Sequence, residues 1–150
     1  LPISADNASL VKISVSHVFK TDYGFLRVNC APFKNNIESN LVGDAGSMKV
    51  MNQLKVFVPG SYADVHAQIK LMLNEPMIVL VQDSNCEEQL FYQLGCECAA
   101  AYIVAGGFKS GTSKDGVKGY EITIEYPAAS VVLYAGAITF PSVDTGNPVP

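Results

Sequence analysis

Four cysteines and two histidines carry what nucleophilic or soft-metal chemistry this 150-residue chain can offer. The thiols are Cys30, Cys86, Cys96 and Cys98, and the imidazoles are His17 and His66. A structural zinc site wants CxxC knuckles or histidine partners, but the closest pair here is the CEC of residues 96–98. On an extended strand, residues two apart share a face, where two thiols would pack as small hydrophobes. An even cysteine count permits disulfides, although a domain of this size does not depend on them. The reading is therefore buried, reduced thiols, with a disulfide or a metal site as the alternatives. His66 falls in a helical stretch beside an apolar stripe, and no local signature joins it to a cysteine nucleophile. It reads as a packed residue, and His17, at a strand end, as a surface one.

The acidic residues offer little more. Glu121 and Glu125 lie on one strand face but more than ~13 Å apart at strand rise, too wide for the paired carboxylates of a glycosidase. They fit a solvent face or a charge pair between subunits. Asp83, Glu87 and Glu88 cluster without the spacing of a calcium loop and read as a solvated turn. GGFKSGTSKDG (106–116) lacks the G-x-x-x-x-G-K-[ST] pattern and any helix for it to open, so it reads as a hairpin tip. No catalytic, cofactor-binding or metal-ligating residue is assigned, no cofactor is expected, and a non-enzyme is expected.

Composition bounds the remaining classes. Hydrophobic residues make up 49% and charged residues 16%, well under the roughly 25% usual for a soluble domain. Such a shortage fits either a surface covered by a partner or one rich in Ser, Thr and Asn. A net charge of −4, with ten scattered Lys and Arg, argues against nucleic-acid recognition, which needs clustered cations. No apolar run approaches the ~20 residues of a membrane span.

The elements that must position these residues read as mostly strands in a single domain, 1–150. Residues 10–18 alternate, with Val11, Ile13 and Val15 on one face, and FLRVNCAPF follows a turn as the second strand of a hairpin-like pair. Residues 34–47 are rich in Asn, Ser and Gly and read as a long loop, a candidate contact arm. Alternation resumes over 48–58 through Val50, Leu54, Val56 and Val58. Ser61 is placed to cap a helix over about residues 61–75, with Asp64 three residues on. Tyr62, Val65, Ile69, Met72 and Leu73 form its apolar stripe, and Pro76 ends it. PMIVLVQ reads as a central strand buried on both faces, with QLFYQL as its partner. AAAYIVAGG, GYEITIEY and VVLYAGAITF supply three more strands, and 107–118 a loop. The ends, 1–10 and 141–150, read as extended arms. Together these predict a mainly β (α+β) fold, an antiparallel sandwich or barrel with one flanking helix.

The order SYADVHAQIKLML, MIVLVQDSN, QLFYQLG, a Ser-Gly-Thr loop at 110–112 and GYEITIEY resembles small structural virion proteins of Bacteroidetes-type bacteriophages and prophages, tail-tube or neck proteins in plan. The likeness runs over roughly residues 50–139 and departs at Cys86, where a turn glycine is expected, and at the CEC segment. It implies a non-catalytic subunit that assembles with itself and other virion proteins into a ring or tube. Location in a virion follows from the same likeness. The rival class is an extracellular β-sandwich binding module, although the chain has no Trp for a flat binding platform.

Overall fold

The computed structural model describes residues 7–21, 23–82, 90–111 and 116–140. Eight strands and one helix follow in the order β1 (Lys12–Ile13), β2 (Asn36–Val42), β3 (Lys49–Pro59), α1 (Ala63–Met72), β4 (Val79–Gln82), β5 (Phe91–Leu94), β6 (Tyr102–Lys109), β7 (Gly119–Ala128) and β8 (Val132–Tyr134). They make two four-stranded sheets, ordered β1-β8-β5-β4 and β2-β3-β7-β6, and neither closes into a barrel. All pairs are antiparallel except β1–β8.

The longest ladder joins β3 and β7, which set Leu54 against Ile124 and Val56 against Ile122. Residues directly opposite in such a ladder share a face, so the two alternating patterns add into one apolar surface. Leu54, Val58, Ile122, Ile124 and Tyr126 form its buried part, joined by Ile69 of α1, Leu94 of β5 and Ala101. The core therefore draws on both sheets and the helix. Asn52 is buried on the same side of β3, and its Oδ1 accepts a 2.6 Å hydrogen bond from the Ser39 hydroxyl on β2. Backbone bonds of 3.0 and 2.9 Å between Met77, just before β4, and Ala101, just before β6, tie the two sheets together.

Four sequence expectations are corrected. The helix runs ten residues rather than fifteen, and Ser61 does not cap it; the N-cap is Tyr62, with extended backbone and no side-chain cap bond. Tyr62 and Leu73, the two ends of the expected stripe, are 76% and 48% exposed, because each is a cap residue whose extended backbone turns its side chain off the helix face. Ile69, at 6%, is the buried residue of α1, with Val65 and Met72 half-buried.

Second, the hairpin expected from 10–18 and FLRVNCAPF does not form. Only Lys12–Ile13 pairs, held to β8 by Leu133 N–H to Val11 O at 2.7 Å and Ala135 N–H to Ile13 O at 2.8 Å. Downstream, ring packing replaces strand pairing: Phe25 meets the rings of His17, Phe19 and Phe140 edge-on. Third, half of the expected 34–47 loop is β2, paired with β3 from Asn36↔Lys55 to Val42↔Lys49. Its polar composition is that of an edge strand with one half-buried residue, Ile37. Fourth, PMIVLVQ is not central. Only Val79–Gln82 is strand, it lies at the edge of its sheet, and its valines are half-buried.

Smaller differences follow the same logic. The last strand is limited to Val132–Tyr134, and β6 runs through Lys109 into the expected 107–118 loop. Of the arms, 7–10 is a single 3-10 turn, while 1–6 and 141–150 lie outside the described residues.

Candidate assembly surface

The described side chains singled out for chemistry fall in separate settings. His17 stacks on the fully buried Tyr134 ring, with centroids 4.7 Å apart and planes 7° from parallel. Its Nε2 lies 3.0 Å from Gln93 Oε1, while Gln93 Nε2 donates to Gly95 O at 2.9 Å. Because that oxygen can only accept, His17 Nε2 carries the proton. His17 is thus a clasp between the N-terminal segment and β5, not a surface residue as expected. His66 exchanges a 2.6 Å hydrogen bond with the Tyr120 hydroxyl through Nδ1 and meets Phe108 edge-on, so it is packed as expected.

The carboxylates separate likewise. Glu121 pairs with Lys109 on the neighbouring β6 at 2.8 Å, both side chains more than half exposed. Glu125 accepts a 2.7 Å hydrogen bond from Gln53 on β3. Asp83, Cys86, Glu87 and Glu88 lie outside the described residues, as do 112–115 of the candidate phosphate loop. Among the described residues, no group of three or more His, Cys, Asp or Glu side chains gathers as a metal would require. No helix among them is long and apolar enough to cross a membrane.

Cys30, Cys96 and Cys98 are free thiols in three settings. Burial pushes the half-buried Cys30 thiol up. The CEC segment is not extended, and its thiols are not both buried as expected. Cys96 and Ala99 exchange both backbone bonds, at 2.7 and 3.2 Å, closing a tight turn that half-buries Cys96 and exposes Cys98. The Tyr126 hydroxyl donates to Cys96 Sγ at 3.5 Å and draws that thiol below its ordinary range, with the Ala99 and Cys98 backbone amides adding to it against burial and the Glu97 carboxylate. Tyr126 itself is pushed up to about 12, first by burial and then by the same bond.

What the fold does gather is exposed apolar surface, in three places. At the far end of the β2–β3 hairpin, Leu41 is 70% exposed and Val42 and Met48 are open to solvent beside a turn closed by Ser47 N–H to Asp44 O at 2.9 Å. The described residues between β1 and β2 form no strand or helix, and Val15, Val18, Tyr23, Leu26 and Phe33 are all exposed. Finally, α1 and the edge strand β6 leave an open groove of about 330 Å³, lined by Ile69, Leu73, Ile103, Tyr120 and Ile122 among others. Scattered apolar residues are normal on a surface, but neighbouring large ones mark contact sites. The sequence reading took 34–47 as a loop and a candidate contact arm, and the structure makes half of it the β2 strand that leads to this tip. That reading missed the 15–33 segment, whose alternation looked like that of a strand buried on one face. Comparison with protein-family models, curated proteins and solved structures returned no match to this chain.

Proposed function

We propose that this chain is a structural subunit that assembles with itself into a ring or tube, as a tail-tube or neck component of a bacteriophage virion. The observation that carries the assembly reading is the apolar tip of the β2–β3 hairpin, where Leu41, Val42 and Met48 are held clear of their own core. Burying a side chain of this size on a neighbour contributes about 1.5–3 kcal/mol. The hairpin tip and the outward-facing 15–33 segment are unlike patches, and contacts between unlike patches are head-to-tail, the kind that closes rings or propagates tubes. The low charged fraction, 16%, favours the same reading. The virion assignment rests on the sequence resemblance over residues 50–139.

Light scattering on size-exclusion fractions, with negative-stain microscopy, tests the reading. The expected outcome is a mass several times 16.0 kDa and annular or tubular particles. Leu41→Asp with Met48→Asp shifts the species toward monomer while leaving its melting temperature nearly unchanged. A wild-type chain that stays monomeric at high concentration overturns assembly and leaves the binding-module class as the better account.

A further inference from the structure

We propose that Cys96 and Cys98 form a peroxide-reactive dithiol, in which Cys96 is the attacking sulfur and Cys98 the resolving one. The inference is independent of assembly and starts from the geometry of one turn. Gly95 enters it at φ +94°, and the paired bonds between Cys96 and Ala99 fold residues 96–99 back on themselves. Cys96 Sγ then faces the Ala99 amide at 3.3 Å and the Tyr126 hydroxyl at 3.5 Å. The Cys98 amide donates to it as well. Donors converging on one sulfur favour its anion, and the thiolate is the form that attacks. Tyr126 is only 7% exposed, so its hydroxyl is held against the sulfur by the core rather than by solvent. The opposing group is Glu97, whose charge disfavours the thiolate.

The second thiol makes this more than a polarised cysteine. Cys98 is exposed and two residues away. Two residues span at most about 7 Å even when fully extended, close to the upper end of the 4.4–6.8 Å Cα separation of disulfides, so little backbone movement separates the thiols from bonding distance. A low-pKa thiol beside a resolving thiol is the arrangement found in redox-sensing cysteines. Cys30, half-buried with its thiol pushed up and with no second cysteine two residues away, serves as the internal control.

The chemistry balances with a hydroperoxide as the oxidant. The Cys96 thiolate attacks a peroxide oxygen; the S–O bond forms as the O–O bond breaks, and hydroxide leaves. The sulfur of Cys98 then attacks Cys96; the S–S bond forms as S–O breaks, and the departing hydroxide takes the Cys98 proton as water. Two thiols lose two electrons, and one hydrogen peroxide becomes two waters.

The whole chain is treated with hydrogen peroxide and mapped by peptide mass spectrometry under non-reducing conditions, which separates Cys30 and Cys86 from the turn. A 96–98 disulfide is expected in the wild type, and a dimedone-trapped sulfenic acid on Cys96 in Cys98→Ser. Iodoacetamide competition at neutral pH supplies the second measurement. Lowering a thiol pKa toward neutral pH raises its thiolate fraction more than it cuts the nucleophilicity of the anion. Cys96 should therefore alkylate faster than the more exposed Cys98, and Tyr126→Phe should erase much of that lead. Equal or reversed rates, or a sulfenic acid that appears first on Cys98, overturn the proposal.

Discussion

Replacing Ile69 with alanine tests how α1 is attached to the sandwich. Ile69 is the buried residue of the helix and belongs to the core shared with Leu54, Leu94 and Ile122. The change removes three carbons, worth about 0.8 kcal/mol each in transfer free energy, or roughly 2.4 kcal/mol. A fully enclosed cavity would add to that, with such substitutions reaching about 5 kcal/mol. Ile69 also lines the open groove against β6, so part of the vacated space joins solvent instead of becoming a void. The expected loss is thus in the lower half of the range, about 2.5–3.5 kcal/mol. Urea denaturation followed by far-ultraviolet circular dichroism measures it, and tyrosine emission gives a second probe in a chain without Trp. Tyr62→Ala and Leu73→Ala are the controls. Both side chains lie on cap residues and are largely exposed, so each should cost under about 1 kcal/mol. A loss below about 0.5 kcal/mol for Ile69→Ala, or controls that cost as much as it does, would refute the account of how the helix packs.

Two further outcomes follow from particular residues. Tyr126 holds its proton up to about 12 in the fold against 10 ordinarily, so its contribution to stability is fully present below pH 10 and is lost between pH 10 and about 12; Tyr126→Phe should flatten the fall in unfolding free energy across that window, and an unchanged slope would contradict it. Gly95→Ala forces a β-carbon onto the Met77 carbonyl at a backbone φ of +94°, where an L residue is strained. At about 2 kcal/mol this lowers the melting temperature by roughly 4–8 °C in scanning calorimetry, and a shift under 1 °C would show that the turn relaxes freely.

Much of the fold was legible because its central ladder is written in local alternation. Tyr120, Ile122, Ile124 and Tyr126 repeat every second residue, as do Leu54, Val56 and Val58, and pairing β3 with β7 puts both sets on one face. The helix was legible in kind but not in extent. Apolar spacing marks a stripe, while the cap backbones of Tyr62 and Leu73 decide where it stops. The misread segments are those whose state depends on which edge is open to them. Residues 36–42 become a strand because β3 offers a free edge, despite a composition that resembles a loop. The described residues of 15–33 stay irregular because, of the N-terminal segment, β8 pairs only with Lys12 and Ile13 before the chain turns away into ring packing. The same dependence governs the chemistry. The sequence alone determined that two thiols stand two residues apart, a spacing that served equally for strand packing. Only the tertiary structure decided that they share a turn and that Tyr126, thirty residues on, points its hydroxyl at one of them, because a buried ring is aimed by the core around it and not by its neighbours in sequence.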